Sequence, residues 1–269
     1  MSKTLPPAEA SPETARSELP RVFPVALRVE GRRCLVVGGG TEAARKAAGL
    51  AGCGALVTVI APHVGPEMTE LVAGRRSPCT AEVSSVSFQP GVPRGAVTLV
   101  TRRYEPGDAG HFRLVITATG TPAVDGSVAD DAERRGVWVN SADDPDHCSF
   151  FLPSVHRDDP VTIAVSTAGY SPALSAWLRR RIAAELGPGL GTLACILDEG
   201  RDRLRSAGRA GGDVGWASVL DAGLFQRVRS GDIGGARRIV SELVELALGG
   251  GGDATPSGTG HHQHDRRQQ

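Results

Sequence analysis

Lysine is almost absent from this chain. Of 30 basic residues only Lys3 and Lys46 are lysine, and together with the arginines they balance 30 acidic residues to a formal net charge of +0. No global field therefore draws the protein to a polyanion or a charged bilayer, and neither nucleic acid nor membrane is expected as a partner. Aromatics make up 4% of the chain and methionine occurs twice, so nothing suggests a separate aromatic or Met-lined cofactor box. The five cysteines (34, 53, 79, 148 and 195) are odd in number and contain no CxxC pair. That spacing argues against a disulfide framework or a zinc site and fits reduced thiols in a cytoplasmic protein. No run of about 18 apolar residues occurs, so no transmembrane helix is predicted. Residues 1–20 lack the apolar stretch of a secretory signal; rich in Pro, Ser, Glu and Ala, they are expected to be a disordered lead-in.

The chain is well supplied with glycine, 35 residues in all, and three of them stand together in Cys34-Leu-Val-Val-Gly-Gly-Gly-Thr-Glu-Ala-Ala-Arg-Lys46. A β-favouring run feeds straight into Gly38, Gly39 and Gly40, and a helix-forming run follows from Thr41 and Glu42. Strand, tight turn and helix start make the geometry that holds a pyrophosphate: glycine permits the turn and close backbone approach, and the helix N-terminus offers unpaired N–H groups and the positive end of its dipole. Ala43, in the place of a third spaced glycine, keeps helix and strand close. Gly-x-Gly-x-x-Ala alone is a weak signal. Here a second strand, Ala55–Ile60, arrives after Gly52 and Gly54 and completes a βαβ unit of about 30 residues. The acid expected near the end of that strand for the ribose is missing: the chain reads Ile60-Ala61-Pro62-His63, so the choice between NAD and NADP is not readable. Lys46 invites a functional reading in so lysine-poor a chain; a solvated helix face explains it as well.

Elsewhere strand and helix patterns alternate. Val22–Val29 reads as an opening segment or short strand, Met68–Ala73 as a short helix, and Ala81–Phe88 as a strand of period two. Arg113–Thr119 reads as a buried strand, Pro122–Arg135 as a helix and Val137–Asn140 as another strand. Cys148–Pro153 and Pro160–Ser166 suggest strands of a second unit, a helix starts at Ser171-Pro172, and short helices continue to Leu248. The predicted class is α/β: a Rossmann-type parallel sheet (21–147), a small α+β dimerisation and substrate segment (148–184), a helical domain (185–248) and a Gly/His-rich disordered tail (249–269).

These pieces together resemble the precorrin-2 dehydrogenase/sirohydrochlorin ferrochelatase family, the N-terminal module of siroheme synthase. The resemblance rests on motifs in register over about 21–205. They are Phe23-Pro-Val-Ala-Leu27, Val36-Val-Gly-Gly-Gly-Thr-Glu-Ala-Ala-Arg-Lys46, Val59-Ile-Ala-Pro62, Ile116-Thr-Ala-Thr-Gly-Thr-Pro-Ala-Val-Asp125, Val139-Asn-Ser-Ala-Asp-Asp-Pro145 with Ser149-Phe150 and Pro153, and Ala164-Val-Ser-Thr-Ala-Gly-Tyr-Ser-Pro172. One departure stands out: Gly120 and Thr121 occupy positions usually acidic in the family.

The resemblance implies NAD-dependent oxidation of precorrin-2 to sirohydrochlorin in a cytoplasmic homodimer, with Fe²⁺ as a further substrate if the chain also chelates. It places the dinucleotide on Gly38, Gly39, Gly40, Thr41, Glu42, Ala61, Pro62, Thr119 and Gly120. It makes Asp143 the general base for either step and puts the tetrapyrrole against Asn140, Ser166, Thr167, Gly169 and Ser171. Asp143 in Asp-Asp-Pro is equally ordinary turn chemistry. Asp144, Asp146, His147 and Cys148 lie too close in sequence to converge on one ion, so no resident metal is expected. A dehydrogenase without chelation, and a non-catalytic tetrapyrrole or dinucleotide sensor on the same fold, remain as alternatives.

Overall fold

A computed structural model describes residues 21–74, 95–209 and 214–249. The expected strand at Ala81–Phe88, the lead-in and the tail beyond 249 lie outside them. The chain divides into two compact units, Met1–Leu186 and Gly187–Gln269.

The first unit is built on five parallel strands: β1 (Arg33–Val37), β2 (Leu56–Ile60), β3 (Val97–Val100), β4 (Leu114–Thr117) and β5 (Trp138–Ser141), in the order β3-β2-β1-β4-β5. Side chains alternate between faces, and both faces are covered, so the strands read as near-continuous apolar runs. On one face Cys34, Val36, Val57, Val59, Leu114 and Ile116 pack against Ala43, Ala44, Ala47 and Ala51 of α1 (Thr41–Gly52) and against Met68 and Leu71 of α2 (Pro66–Val72). On the other, Leu35, Val37, Val115 and Val139 meet Val128, Ala129 and Ala132 of α3 (Pro122–Arg134). The alanines of α1 let that helix lie close on the sheet. β3 was not anticipated from the sequence: it is a four-residue edge strand just after Gly95, too short for a periodicity to declare itself. Val22–Val29 forms no strand.

Asp131 of α3 locks the β3–β4 connection. It is 3% exposed and accepts from Tyr104 Oη at 2.6 Å, Gly107 N at 2.8 Å and Arg135 Nε at 3.1 Å. Burial alone would raise its pKa, but these hydrogen bonds outweigh it and hold the carboxyl below the usual carboxylate range. A lowered folded-state value means the contribution is present above the unfolded pKa and is lost as pH falls through the folded one. Asp131→Asn is expected to cost about 1–3 kcal/mol at neutral pH. The gap in melting temperature to the parent chain should narrow as acidification proceeds below the usual carboxylate range.

A two-stranded antiparallel ribbon follows, β6 (Ser154–Asp158) and β7 (Val161–Val165), with α4 (Pro172–Leu186) against it. The sequence reading put the first of these strands at Cys148–Pro153. That stretch is instead a loop whose side chains are drawn onto β5, and the ribbon begins only past Pro153. The second unit holds α5 (Leu190–Ser206), α6 (Trp216–Val219), a wide turn, α7 (Phe225–Arg229) and α8 (Ile233–Gly249) around Leu193, Ile196, Leu224, Val228, Ala236 and Val240. Short helices were expected there. α8 runs for 17 residues because Ala236, Val240 and Val244 form one unbroken buried stripe with no proline. Among the described residues no helix is long and apolar enough to cross a membrane.

Candidate functional site

At the C-terminal edge of the sheet β1 and β4 are neighbours while the chain leaves them toward opposite sides, β2 and β3 on one flank and β5 on the other. Open α/β sheets leave a crevice there. The loops after β1, β2, β4 and β5 all reach this edge.

The three glycines after β1 have different tasks. Gly38 has φ 129°, and a Cβ on it would overlap the Ala118 carbonyl, 2.8 Å from its carbon. A Cβ on Gly39 would overlap the His63 carbonyl oxygen and lie 3.0 Å from Val64 Cα. Both are glycine because the chain packs against itself. A Cβ on Gly40 meets nothing within 4 Å. Gly40 is also the N-cap of α1, and no side chain caps that helix. Open room in front of uncapped helix N–H groups fits a pyrophosphate. Thr41 and Glu42 open the helix, but the Glu42 carboxylate is turned along it. Arg45 holds it at 2.6 and 2.9 Å, and Lys46 Nζ stands 3.4 Å away. The Arg45 hydrogen bonds hold Glu42 below the usual carboxylate range. The Lys46 side chain is only 12% exposed, and burial pushes its pKa down despite Glu42.

After β2, Ala61 is buried and its N–H donates to Val100 O at 3.3 Å, while Pro62 is exposed. After β4, Thr119 N donates to Asp125 Oδ1 at 3.1 Å, and the Thr117 hydroxyl donates to the same oxygen. Thr119 Oγ1 accepts from Thr121 N at 3.1 Å, and Gly120 turns at φ 69° into open space. Asp125, 6% exposed, thus shapes this loop from the first turn of α3. Sequence reasoning quoted it only as the end of a motif; an acid in a helix's first turn just past a strand was the available signal.

The loop after β5 is pinned at both ends. Asn140 is buried, and its Nδ2 donates to Phe150 O at 3.0 Å and to Cys148 Sγ at 3.5 Å. Cys148 Sγ also accepts from Ser141 N at 3.2 Å, and burial pushes its thiol pKa up. Ser149 Oγ accepts from Val139 N at 2.7 Å. Between these anchors Asp143 is exposed, and its carboxylate has no partner among the described residues. Next to it Asp144 accepts from Asp146 N at 3.1 Å and pairs with His147 Nδ1 at 2.8 Å. That hydrogen bond raises the His147 pKa and lowers that of Asp144. Among the described residues no group of three or more His, Cys, Asp or Glu could hold a metal.

The 166–171 loop is closed by its own hydrogen bonds. Ser166 Oγ accepts from Ala168 N, Thr167 Oγ1 accepts from Ser171 N, and Ser171 Oγ accepts from Leu174 N, each at 3.1 Å. The last is an N-cap for α4. Gly169 turns at φ 87°, where a Cβ would come within 3.2 Å of Phe151. Of the three consecutive arginines in α4, Arg179 bonds Ser154 Oγ at 3.1 Å, and Arg180 and Arg181 are exposed.

Two family models match consecutive parts of the chain: one described as putative NAD(P)-binding over 25–154, the other as sirohaem biosynthesis protein central over 158–185. Over these residues the chain is similar to sirohaem biosynthesis proteins. Among its relatives are the siroheme synthase of Methylococcus capsulatus, 35% identical over 228 residues, and that of Chromobacterium violaceum, 32% identical over 236 residues. These alignments take in 84% and 86% of the chain but 44% and 45% of the relatives, so the chain spans about half the length of the curated relatives it matches. A solved structure, SirC, precorrin-2 dehydrogenase, aligns with TM-score 0.55 at 21% identity, covering 83% of this chain and 99% of that one. The three-layer sheet and the ribbon are thus a fold shared with that protein.

Proposed function

We propose that this chain oxidises precorrin-2 to sirohydrochlorin with NAD⁺, using Asp143 as general base. One observation carries the reading: an open glycine cradle and an unengaged carboxylate lie on the same edge of one parallel sheet. Gly40 and the first turn of α1 would seat the pyrophosphate, with Thr119 and Gly120 lining the far side of the crevice. NAD⁺ bound there supplies the hydride acceptor. Precorrin-2 loses a hydride and a proton; Asp143, exposed and partnerless, accepts the proton. The anchors at Asn140, Cys148 and Ser149 keep it in place. Backbone N–H groups of the 166–171 loop suit the substrate's carboxylates, with the hydroxyls of Ser166, Thr167 and Ser171 holding that loop's shape.

Iron insertion is the second step of the same proposal, favoured by the siroheme synthases among the relatives. Fe²⁺ enters as substrate, and Asp143, open to solvent, takes the two departing pyrrole N–H protons one at a time and passes each to water. An anaerobic absorbance assay with precorrin-2 and NAD⁺, followed by Fe²⁺, tests both. NADH and sirohydrochlorin should form, and metal insertion should outpace the enzyme-free control. Oxidation without accelerated insertion reduces the proposal to dehydrogenation. Folded protein that binds tetrapyrrole but oxidises nothing would be a sensor.

The working unit in this proposal is a cytoplasmic homodimer formed through the ribbon and α4. Ser175 is the one buried residue of α4, while Leu174 and Trp177 of that helix, and Leu152 and Tyr170 in the loops, are exposed; exposed apolar side chains on this segment call for a cover. Trp177→Asp should shift the protein from dimer to monomer in sedimentation velocity, with an unchanged circular dichroism spectrum.

A further inference from the structure

The end of β2 lacks the acid that binds an adenosine ribose, and the structure offers a replacement from elsewhere. The loop 61–65 does not stand away from the glycine loop. Gly65 N donates to Gly39 O at 2.9 Å, and the His63 carbonyl lies against Gly39. This brings the start of α2 to the dinucleotide loop. The point where a Cβ of Gly65 would stand has two atoms within 4 Å: Glu67 Oε2 at 3.5 Å and Gly39 O at 3.6 Å. Both are acceptors. Glu67 is half-buried and has no hydrogen-bond or ionic partner among the described residues. An unengaged carboxylate and a carbonyl therefore converge beside the turn that would hold the pyrophosphate, where a side chain on residue 65 would fill the gap.

We infer that Glu67 is the specificity-determining residue for the dinucleotide's adenosine ribose, accepting hydrogen bonds from its 2′- and 3′-hydroxyls and disfavouring a 2′-phosphate. The inference rests on the dinucleotide reading above and deepens it. A vicinal diol offers two donors to the two acceptors. A 2′-phosphate would bring negative charge against the Glu67 carboxylate with no donor in return. Among the described residues, opposing cations near the β2 and β3 ends are few. Arg102 is occupied by Asp108 through two bonds of 2.7 Å, which leaves the exposed His63 and Arg103. These would favour a 2′-phosphate if they, and not Glu67, faced the ribose.

Equilibrium binding to the full chain, followed by calorimetry without tetrapyrrole, separates the two. The probes are NAD⁺, NADP⁺ and NAD⁺ lacking the adenosine 2′-hydroxyl. The parent chain should bind NAD⁺ more tightly than either of the others. Glu67→Gln should weaken NAD⁺ by about 10- to 100-fold, narrow its advantage over NADP⁺, and weaken the 2′-deoxy analogue much less. The deoxy comparison in the parent chain needs no variant and stands even if Glu67→Gln folds poorly. NAD⁺ binding that is indifferent both to the 2′-hydroxyl and to Glu67→Gln overturns the assignment, as does a preference for NADP⁺. A parent chain that binds no dinucleotide overturns the dinucleotide reading together with it.

Discussion

Asp143→Asn is expected to lower the rate of NAD⁺-dependent precorrin-2 oxidation by about 10²- to 10⁴-fold, the range a positioned general base contributes. Dinucleotide binding should be unchanged. The substitution keeps the shape of the side chain and removes its ability to take a proton. Asp143 is exposed and has no partner among the described residues, so no folded-state contact is lost. Single-turnover absorbance with saturating NAD⁺ reads the chemical step, and calorimetry reads NAD⁺ affinity on the same sample. If Asp143 also accepts the pyrrole protons, the accelerated incorporation of Fe²⁺ should disappear in the same variant. Normal turnover by Asp143→Asn would remove the residue from the mechanism. A folded variant that loses NAD⁺ affinity in proportion to its rate would make it part of the binding site and not a base. The neighbouring pair gives a control: Asp144 is held by His147 at 2.8 Å, so Asp144→Asn should loosen the loop and reduce the rate by a smaller factor.

A single methyl group should have opposite consequences at two adjacent glycines. Gly39→Ala drives its Cβ into the His63 carbonyl, with Val64 Cα 3.0 Å away. Both obstacles are backbone and cannot rotate aside, so the 61–65 loop must move. An overpacking cost of about 1–3 kcal/mol is expected, seen as a lower melting temperature with or without ligand. Gly40→Ala meets nothing within 4 Å and should leave the melting temperature of the free chain unchanged or slightly raised. Its methyl stands in the space proposed for the pyrophosphate, and the same overpacking cost is paid there by the ligand. NAD⁺ affinity should fall about 5- to 150-fold. Thermal unfolding with and without NAD⁺ separates the two variants. An unaltered NAD⁺-induced shift for Gly40→Ala would place the pyrophosphate elsewhere.

Much of this site is legible in the residues because its signals are local. An apolar run, three glycines and an alanine-rich helix form within 20 residues, and each follows from backbone geometry that needs no distant partner. The alternation of strands and helices from 33 to 141 likewise gives a parallel sheet before any contact is known, and among the described residues only the short edge strand Val97–Val100 escapes it. The strand misplaced at Cys148–Pro153 shows where local pattern stops being sufficient. Its apolar residues look like half a ribbon, but Asn140, Cys148 and Ser149 bond across residues 7 to 10 apart and hold the stretch as a loop on β5.

The sequence by itself determined the Rossmann-type sheet, the glycine turn and the placing of Asp143 in the loop after a strand, since periodicity, turn chemistry and helix starts act over a few residues. Only the tertiary structure decided which glycine faces open space, because Gly38 answers to Ala118 and Gly39 to His63, partners brought close by folding alone. It also decided that Glu42 bonds its own helix, that Asn140 points into the protein, and that Glu67 stands beside the glycine loop after β1. Each of these depends on where one loop lies against another. That placement is set by the packing of helices on the sheet and is written in no single stretch of the chain.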